Sequence, residues 1–236
     1  LGVITSLYEE HLDWHGSRER YVADKLKLTG AARTLLVNAL QPALLERTQD
    51  HPHRLLFGTP EGWHLRDGFI CRGTQAVFAI EQLAAPGLHN ALNACAALAA
   101  LEAIGMDALA AAPALARFRP LPHRLQPLGA HDGWHWVNDS ISTTPLATLA
   151  ALESLHGRAV TVLVGGHDRG LDWTPFVDAM RSTPPNAIVC MGSNGARIEA
   201  ALRSAEIRCP IMRVDDLAGA VARAKTHTLH GGVILL

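Results

Sequence analysis

The sequence predicts an α/β protein whose second half contains a mostly parallel sheet. Apolar runs alternate with helical patterns from residue 134 to the end of the chain, which is typical of βαβ units. Residues 119–124 contain two prolines and no helical or strand period, as in a linker. Apolar residues make up 48% of the 236 residues, enough for a hydrophobic core, and the length suits one large domain or two modest ones. We therefore predict two domains, residues 1–118 and 119–236.

The first domain is predicted to contain helices, a buried strand and a β-meander. Apolar side chains recur at helical spacing in residues 10–26, and residues 34–39 form a short apolar run. Residues 54–80 contain short alternating runs separated by glycine-containing turns, which predict the meander. Two alanine-rich segments, 89–104 and 106–118, are predicted to be helices.

The second domain is predicted to consist of right-handed βαβ units around a mostly parallel sheet. The predicted strands are residues 134–138, 159–164, 187–191, 210–214 and 232–236, and a helix follows each of the first four. Ligands bind such sheets at the carboxyl ends of the strands, so the loops after residues 138, 164 and 191 are candidate sites. Both ends of the chain resemble strand interiors, which predicts that the chain is part of a longer protein.

Charge and cysteine content exclude several function classes. The chain has 21 basic and 22 acidic residues and a formal net charge of −1, which argues against a nucleic-acid or polybasic membrane binder. No apolar run approaches the roughly 20 residues of a membrane span, and the start lacks a signal-peptide pattern. Four scattered cysteines without a CxxC pair predict neither a disulfide framework nor a zinc knuckle, and they favour a cytoplasmic location.

The first candidate site is an acidic and histidine-rich segment near the start. It contains Glu9, Glu10, Asp13 and two histidines, His11 and His15. On one helix the two histidines would share a face, as in a zinc-binding pair. The alternative is a solvated helix start, where acidic side chains are favourable.

Lys25 is the second candidate, because lysine is rare in this chain. Only three of its 21 basic residues are lysines. A buried amine kept partly uncharged can react with carbon dioxide and form an anionic carbamate. Magnesium prefers oxygen ligands of that kind. An ordinary surface lysine is the alternative.

Two loops of the second domain are also candidates. In residues 138–145, Asp139 or Ser140 could cap a helix, or a carboxylate there could bind a ribose hydroxyl. The neighbouring hydroxyl groups could bind a carboxylate or phosphate at the helix N-terminus. In residues 165–172, glycines allow close approach of a ligand, and Arg169 could bind a carboxylate through two bonds. A tight βα turn is the alternative for the second loop.

No phosphate-binding G-x-x-x-x-G-K-[ST] motif is present, because none of the three lysines follows a glycine. The candidate segments nevertheless resemble, in order, those of the Mur ligases, the ATP-dependent amino-acid ligases of peptidoglycan synthesis. The segment from His11 to Lys25 resembles the family's magnesium site, a histidine followed by a carbamylated lysine. The helix with Asn90 and Asn93 resembles the one whose asparagines contact adenine.

The second half of the chain continues the resemblance. Pro122-His-Arg124 resembles the family's interdomain hinge, whose arginine reaches the nucleotide. Asn138-Asp139-Ser140 resembles the start of the C-terminal domain's nucleotide and substrate loop. The resemblance implies that residues 1–118 are the later part of a P-loop-type central domain, without its P-loop. Residues 119–236 are then most of the Rossmann-like C-terminal domain.

The resemblance also implies an activity. ATP and Mg²⁺ are the expected cofactors, and UDP-N-acetylmuramoyl-L-alanine and glutamate the expected substrates of a cytoplasmic, monomeric ligase. An acyl phosphate is the expected intermediate. His11 and carbamylated Lys25 would bind magnesium, and the nucleotide would contact Asn90, Asn93, Arg124 and Asp139. Ser140, Thr143 and Arg169 would bind glutamate. The chain alone is expected to be inactive, since it lacks the P-loop.

Two departures from the family pattern bear on the amino acid that is added. The D-glutamate-adding members have lysines at the positions of Ile141 and Arg169. Residues 139–145 resemble the variant branch that adds L-glutamate, so L-glutamate is the predicted substrate. Three alternatives remain. The chain could belong to a ligase that adds D-glutamate or to a related amino-acid or folylpolyglutamate ligase, or it could be an inactive nucleotide-binding remnant.

Overall fold

The computed structural model describes residues 1–8 and 10–236, apart from the side chain of residue 13, and contains two compact units. The first unit is Leu1–Arg119 and the second is Pro120–Leu236. Each unit contains its own buried apolar clusters. No helix among the described residues is long and apolar enough to cross a membrane.

The first unit contains two three-stranded sheets. One is parallel, with the order β1 (Gly2–Ile4), β2 (Leu35–Asn38) and β3 (Arg54–Phe57). The other is the antiparallel meander β4 (Trp63–Arg66), β5 (Phe69–Arg72) and β6 (Gln75–Ala79). The α-helices of the first unit are α1 (Leu12–His15), α2 (Arg18–Ala31), α3 (Pro42–Arg47), α4 (Leu88–Ala103) and α5 (Ala108–Ala111).

Strand β3 corrects the predicted meander, because it belongs to the parallel sheet. Leu36 lies opposite Leu55 across the two strands. Parallel strands need a crossover connection, and the short helix α3 lies in it. That helix was not predicted, since six residues are too few to show a helical period.

The single helix predicted over residues 10–26 is wrong, because this segment contains parts of two helices, α1 and α2. Gly16 ends α1 in the left-handed region (φ 77°) and donates its backbone N–H to the Leu12 carbonyl at 2.7 Å. Ser17 then caps α2 by accepting a hydrogen bond from the Arg20 backbone N–H at 3.2 Å. The segment therefore forms two helices, the first ended by Gly16 and the second capped at its N-terminus by Ser17.

The predicted helix over residues 106–118 is also wrong, because only its first turn is α-helical. Helix α5 ends at Ala111, and Ala112–Arg117 forms a 3₁₀ helix. Pro113 lacks a backbone N–H, and its ring obstructs the preceding helical turn.

The second unit contains one six-stranded sheet in the order β11-β10-β9-β12-β8-β7. All neighbouring strands are parallel except β7 and β8, so the predicted α/β class with a mostly parallel sheet is confirmed. The strands are β7 (Gln126–His131), β8 (Trp134–Asn138), β9 (Val160–Gly166), β10 (Ala187–Gly192), β11 (Ile211–Arg213) and β12 (Val233–Leu235). The helices are α6 (Pro145–Ser154), α7 (Thr174–Ser182), α8 (Gly195–Ser204) and α9 (Leu217–His227).

Helices cover both faces of this sheet. Phe176, Ile198 and Leu202 from α7 and α8 are fully buried on one face. Ala220 and Ala224 of α9 are buried against the other. Burial on both faces explains the nearly continuous apolar sequence of β9 and β10. The same arrangement leaves the carboxyl ends of the strands as the place where polar loops collect.

Candidate active site

A cavity of about 440 Å³ lies in the second unit at the carboxyl ends of β8, β9 and β10. Four of the predicted site residues line it: Asp139, Ser140, Thr143 and Arg169. The first three belong to the loop after β8, and the last belongs to the loop after β9. The structure thus brings the two predicted loops of this unit together around one cavity.

Asp139 is a buried anchor of the first loop. The residue is 5% exposed, and its Oδ1 accepts a hydrogen bond from the Leu125 backbone N–H at 2.7 Å. Ser142 donates its hydroxyl to Oδ2 of the same carboxylate. Asp139 therefore fixes both its own loop and the segment that contains Arg124. The helix cap that the sequence suggested is instead Thr144, whose Oγ1 accepts from the Ala147 N–H at 3.2 Å.

Glycine allows the second loop to pack closely against the neighbouring strand end. Gly165 has φ 113°, and a Cβ atom there would lie 2.1 Å from the Met191 carbonyl oxygen. No other residue fits this position without moving the backbone of β10. The close approach draws the loop that contains Arg169 to the rim of the cavity.

Arg169 supplies an available positive charge beside the hydroxyl groups. Its side chain is exposed, and none of the described residues forms a hydrogen bond or ion pair with its guanidinium group. A free guanidinium group can bind a carboxylate through two parallel hydrogen bonds. The neighbouring Asp168 is already paired, with Arg197 Nη2 at 2.7 Å. The Gly170 backbone N–H and Arg197 hold the pKa of the Asp168 carboxyl below its usual range.

Asn194 is a cavity residue that sequence reasoning missed. The residue is 5% exposed, and its Oδ1 has no hydrogen-bond partner among the described residues. The sequence marked the loop after residue 191 as a candidate site but assigned no role to any of its residues. Asn194 could have been found from its position after a third parallel strand, because polar side chains after such strands lie at the same edge of the sheet.

The histidine segment of the first unit does not form the helical pair that the sequence suggested. His11 lies before α1 in the left-handed region (φ 54°), and its exposed ring is 3.8 Å from Glu10. His15 instead forms a 2.9 Å hydrogen bond with Asp24 Oδ2. Of the acidic residues in this segment, Glu9 and the side chain of Asp13 lie outside the described part of the chain.

Lys25 is half-buried in helix α2, and its amine reaches the backbone that follows β1. Its Nζ donates to the Ser6 carbonyl at 3.0 Å and to the Tyr21 hydroxyl at 2.5 Å. The same nitrogen lies 4.7 Å from the centre of the Tyr21 ring. Within residues 1–8 and 10–236, leaving out the side chain of residue 13, no group of three or more His, Cys, Asp or Glu side chains could hold a metal ion. Lys25 as a free amine would add no metal ligand, whereas a carbamate would add oxygen ligands.

The predicted nucleotide-binding residues occur in both units. Asn90 and Asn93 lie three residues apart on α4, where they share a face, and Asn90 Nδ2 donates to the Pro86 carbonyl at 2.6 Å. Arg124 is exposed, and its guanidinium group makes no ion pair with the described residues.

Comparison with protein families matches both units. Residues 1–101 match the Mur ligase middle domain, and residues 123–236 match the glutamate ligase domain of the Mur ligases. The chain is 49% identical over 241 residues to the "UDP-N-acetylmuramoyl-L-alanine--L-glutamate ligase" of Xanthomonas oryzae. The proteins of the same name from Xylella fastidiosa (strain Temecula1) and Salinispora tropica are 47% and 38% identical to it. Each comparison covers 100% of this chain and 52–54% of the relative, so the chain spans about half the length of these proteins.

Solved structures share the fold at low sequence identity. The Thermotoga maritima UDP-N-acetylmuramate-alanine ligase MurC has a TM-score of 0.67 and 18% identity, over 100% of this chain and 55% of its own. Acinetobacter baumannii MurF has a TM-score of 0.66 and 19% identity, over 99% and 55%. These similarities support the α/β architecture of the chain.

Proposed function

Because the chain belongs to the Mur ligase family, we propose that it contributes the middle and glutamate-binding domains of a ligase that joins L-glutamate to UDP-N-acetylmuramoyl-L-alanine. The observation that supports this most strongly is the cavity at the carboxyl ends of β8, β9 and β10. It combines an unpaired guanidinium group with hydroxyl groups, as a dicarboxylic amino acid requires. Four free cysteines support a reaction in the cytoplasm.

The proposed reaction has two steps. The carboxylate of UDP-N-acetylmuramoyl-L-alanine attacks the γ-phosphorus of ATP, and ADP leaves as the acyl phosphate forms. The amine of glutamate then attacks the acyl carbon, and the resulting tetrahedral intermediate loses inorganic phosphate and forms the amide. The amine must be free of its proton to attack.

In this proposal, the described cavity binds the incoming glutamate. Arg169 pairs with a carboxylate of glutamate, and Thr143 and Ser140 add hydrogen bonds from the facing loop. Ile141, where D-glutamate-adding members have lysine, removes one charge from this loop. At position 169, the planar guanidinium group of arginine replaces the compact ammonium group of lysine, which changes the direction in which a carboxylate is held. These two differences support L-glutamate as the substrate.

The nucleotide is proposed to contact residues of both domains. Asn90 and Asn93 offer amide groups on one face of α4, as a purine base requires. Arg124 offers a free positive charge for phosphate, and Asp139 holds the backbone beside it. Residues 1–118 are thus proposed to be part of the ATP-binding domain. Residues 119–236 are proposed to bind glutamate and nucleotide.

His11 and Lys25 are proposed to hold magnesium after carbamylation of the lysine. Lys25 lies half-buried between the Ser6 carbonyl and the Tyr21 hydroxyl, and a carbamate there would add oxygen ligands to a part of the chain in which the described side chains form no metal-binding group of three or more. Bound magnesium would neutralise the charge of the phosphate oxygens.

Phosphate release tests the proposal. The N-terminal half of the Xanthomonas oryzae relative is joined to this chain, and the fusion protein is incubated with ATP, Mg²⁺, UDP-N-acetylmuramoyl-L-alanine and either L- or D-glutamate. We expect release with L-glutamate only, and none from the 236-residue chain alone. Release with D-glutamate only would overturn the stereochemical assignment. Release with neither, while the relative itself is active, would overturn the ligase function.

A further inference from the structure

The loop that contains Arg169 is fixed on both sides of that residue, although the Arg169 side chain itself is unpaired. Gly166 and Gly170 bracket the loop, with φ values of 131° and 69°. Glycines in such conformations leave a loop mobile unless other bonds fix it. The bonds that fix this one come from the neighbouring loop after β10 and from α8.

Asp168 is the centre of these bonds. Its Oδ1 accepts from the Gly170 backbone N–H at 2.9 Å and from Arg197 Nη2 at 2.7 Å. Its own backbone N–H donates to Ser193 Oγ at 3.0 Å, and Ser193 donates its hydroxyl to the Gly166 carbonyl at 2.9 Å. The residue immediately before Arg169 is therefore held through both its side chain and its backbone.

Arg197 extends the same arrangement to the other side of the loop. Its Nη1 donates to the Leu171 carbonyl at 3.1 Å while Nη2 binds Asp168. One guanidinium group thus bonds to the residue before Arg169 and to the second residue after it. Because the planar group has fixed bond directions, the two acceptors are held at a set separation.

The charges leave Arg169 available for a ligand. The negative charge of Asp168 is paired with Arg197, so Asp168 does not compete for the guanidinium group of Arg169. Without Arg197, the adjacent carboxylate would be free to attract Arg169 itself. A guanidinium group drawn toward Asp168 would no longer be free to form two parallel hydrogen bonds to a carboxylate, so the ligand would bind more weakly.

We propose that Arg197 and Asp168 are positioning residues for Arg169, and that they determine the affinity for the incoming amino acid without touching it. The inference rests on the proposed function, since it requires that Arg169 binds the carboxylate of glutamate. A purely structural ion pair between α8 and the loop would affect stability alone. The two cases differ in how KM changes for each substrate.

Steady-state kinetics of the fusion protein tests the proposal with the variant Arg197→Gln. We expect KM for L-glutamate to rise about tenfold or more, while kcat and KM for ATP stay within about twofold. The matched control is Arg203→Gln on the same helix, which removes an exposed 3.0 Å ion pair with Glu199 away from the cavity. An equal change in KM for L-glutamate in the two variants would overturn the positioning role.

A double-mutant cycle shows whether Arg197 acts through Arg169. In the background Arg169→Gln, the further change Arg197→Gln is expected to leave KM for L-glutamate unchanged. The same rise in both backgrounds would overturn the inference. A parent protein that is inactive with every glutamate would instead overturn the proposed function, so the two failures are distinguishable.

A titration of the 236-residue chain keeps the inference testable if a fusion variant fails to fold. Backbone amide signals are followed by NMR as L-glutamate is added to the parent chain, to Arg197→Gln and to Arg203→Gln. We expect the dissociation constant to rise about tenfold for the first variant only. Equal dissociation constants in all three proteins would contradict the positioning role.

Discussion

At the scale of single residues, the proposed binding of glutamate depends most on Arg169. The change Arg169→Gln removes the charge but keeps a hydrogen-bonding group. A charge-assisted hydrogen bond contributes about 1.5–3 kcal/mol, so we expect KM for L-glutamate to rise roughly 10- to 150-fold in the fusion protein. The KM for ATP should stay unchanged.

The control for this prediction is Arg158→Gln. Arg158 is also exposed, and it precedes β9 at the opposite end from the cavity. A similar rise in KM for the control would mean that general loss of positive charge, rather than binding at Arg169, causes the effect.

Asp139 shows which part of a site can be predicted from sequence. Its position after a parallel strand points to the edge of the sheet where the cavity lies, because strand ends meet at that edge. Its bond to the Leu125 backbone could not be predicted, since the two residues lie 14 positions apart across the β7–β8 hairpin. Burial of the carboxylate follows from that tertiary contact.

At the scale of single elements, the close packing of the ends of β9 and β10 depends on Gly165. Alanine there requires φ 113° and places Cβ 2.1 Å from the Met191 carbonyl oxygen. We expect Gly165→Ala to lower the free energy of unfolding by about 2 kcal/mol or more, as measured by urea denaturation.

Gly157→Ala separates backbone strain from contact in the same measurement. Gly157 has φ 81° and nothing within 4 Å of the added Cβ. We expect a loss of only about 1–2 kcal/mol, due to the left-handed conformation alone. If the two variants lost equal stability, the contact with β10 would not matter.

Glu102 joins helix α4 to the antiparallel meander. It accepts hydrogen bonds from the buried Trp63 indole N–H at 2.6 Å and from Arg72 Nη2 at 2.6 Å. Arg72, and then the Trp63 bond, lower the pKa of the Glu102 carboxyl. Because the folded-state pKa is lowered, the ionised carboxylate stabilises the fold at neutral pH. This stabilisation is lost as the pH falls through the folded-state pKa.

We therefore expect Glu102→Gln to destabilise the chain at pH 7 and to have a smaller effect at low pH. The free energy of unfolding is measured from pH 7 down to about pH 3, below the usual glutamate pKa of roughly 4.3. Glu61→Gln serves as the control, because Glu61 is exposed and its carboxylate makes no ion pair with the described residues. If the loss in free energy of unfolding caused by Glu102→Gln did not depend on pH, the stabilising role of the ionised Glu102 carboxylate would be contradicted.

Short elements explain what the sequence did not predict. Strand β7 lies at the sheet edge, contains Pro127 and Gly129 and exposes nearly all its residues, so it has no apolar alternation. Helix α3 has only six residues. The buried parallel strands of the second unit and α4 were predicted because their apolar runs are continuous or recur at helical spacing and are bounded by glycine or proline.

At the scale of the whole molecule, the two units should respond differently to glutamate. The cavity with Arg169 lies wholly within the second unit. A ligand at 100 times its dissociation constant stabilises the folded state that binds it by about 2.7 kcal/mol. We expect L-glutamate to slow amide hydrogen exchange in β9 and β10 and to leave β2 and β4 unchanged in the 236-residue chain.

The result for β2 and β4 is the internal control, because both strands lie in the first unit. Slower exchange in both units would indicate a general effect of the added salt. Sodium chloride at equal ionic strength should leave all four strands unchanged.

The most direct test of the central claim is the stereochemistry of the product. The fusion protein is supplied with ATP, Mg²⁺, UDP-N-acetylmuramoyl-L-alanine and racemic glutamate. The purified product is hydrolysed, and its glutamate is resolved on a chiral column. With glutamate supplied below the KM of the parent protein, we expect L-glutamate in the product and a large loss of yield for Arg169→Gln. A product that contains D-glutamate, or one whose yield under these conditions does not depend on Arg169, would contradict the claim.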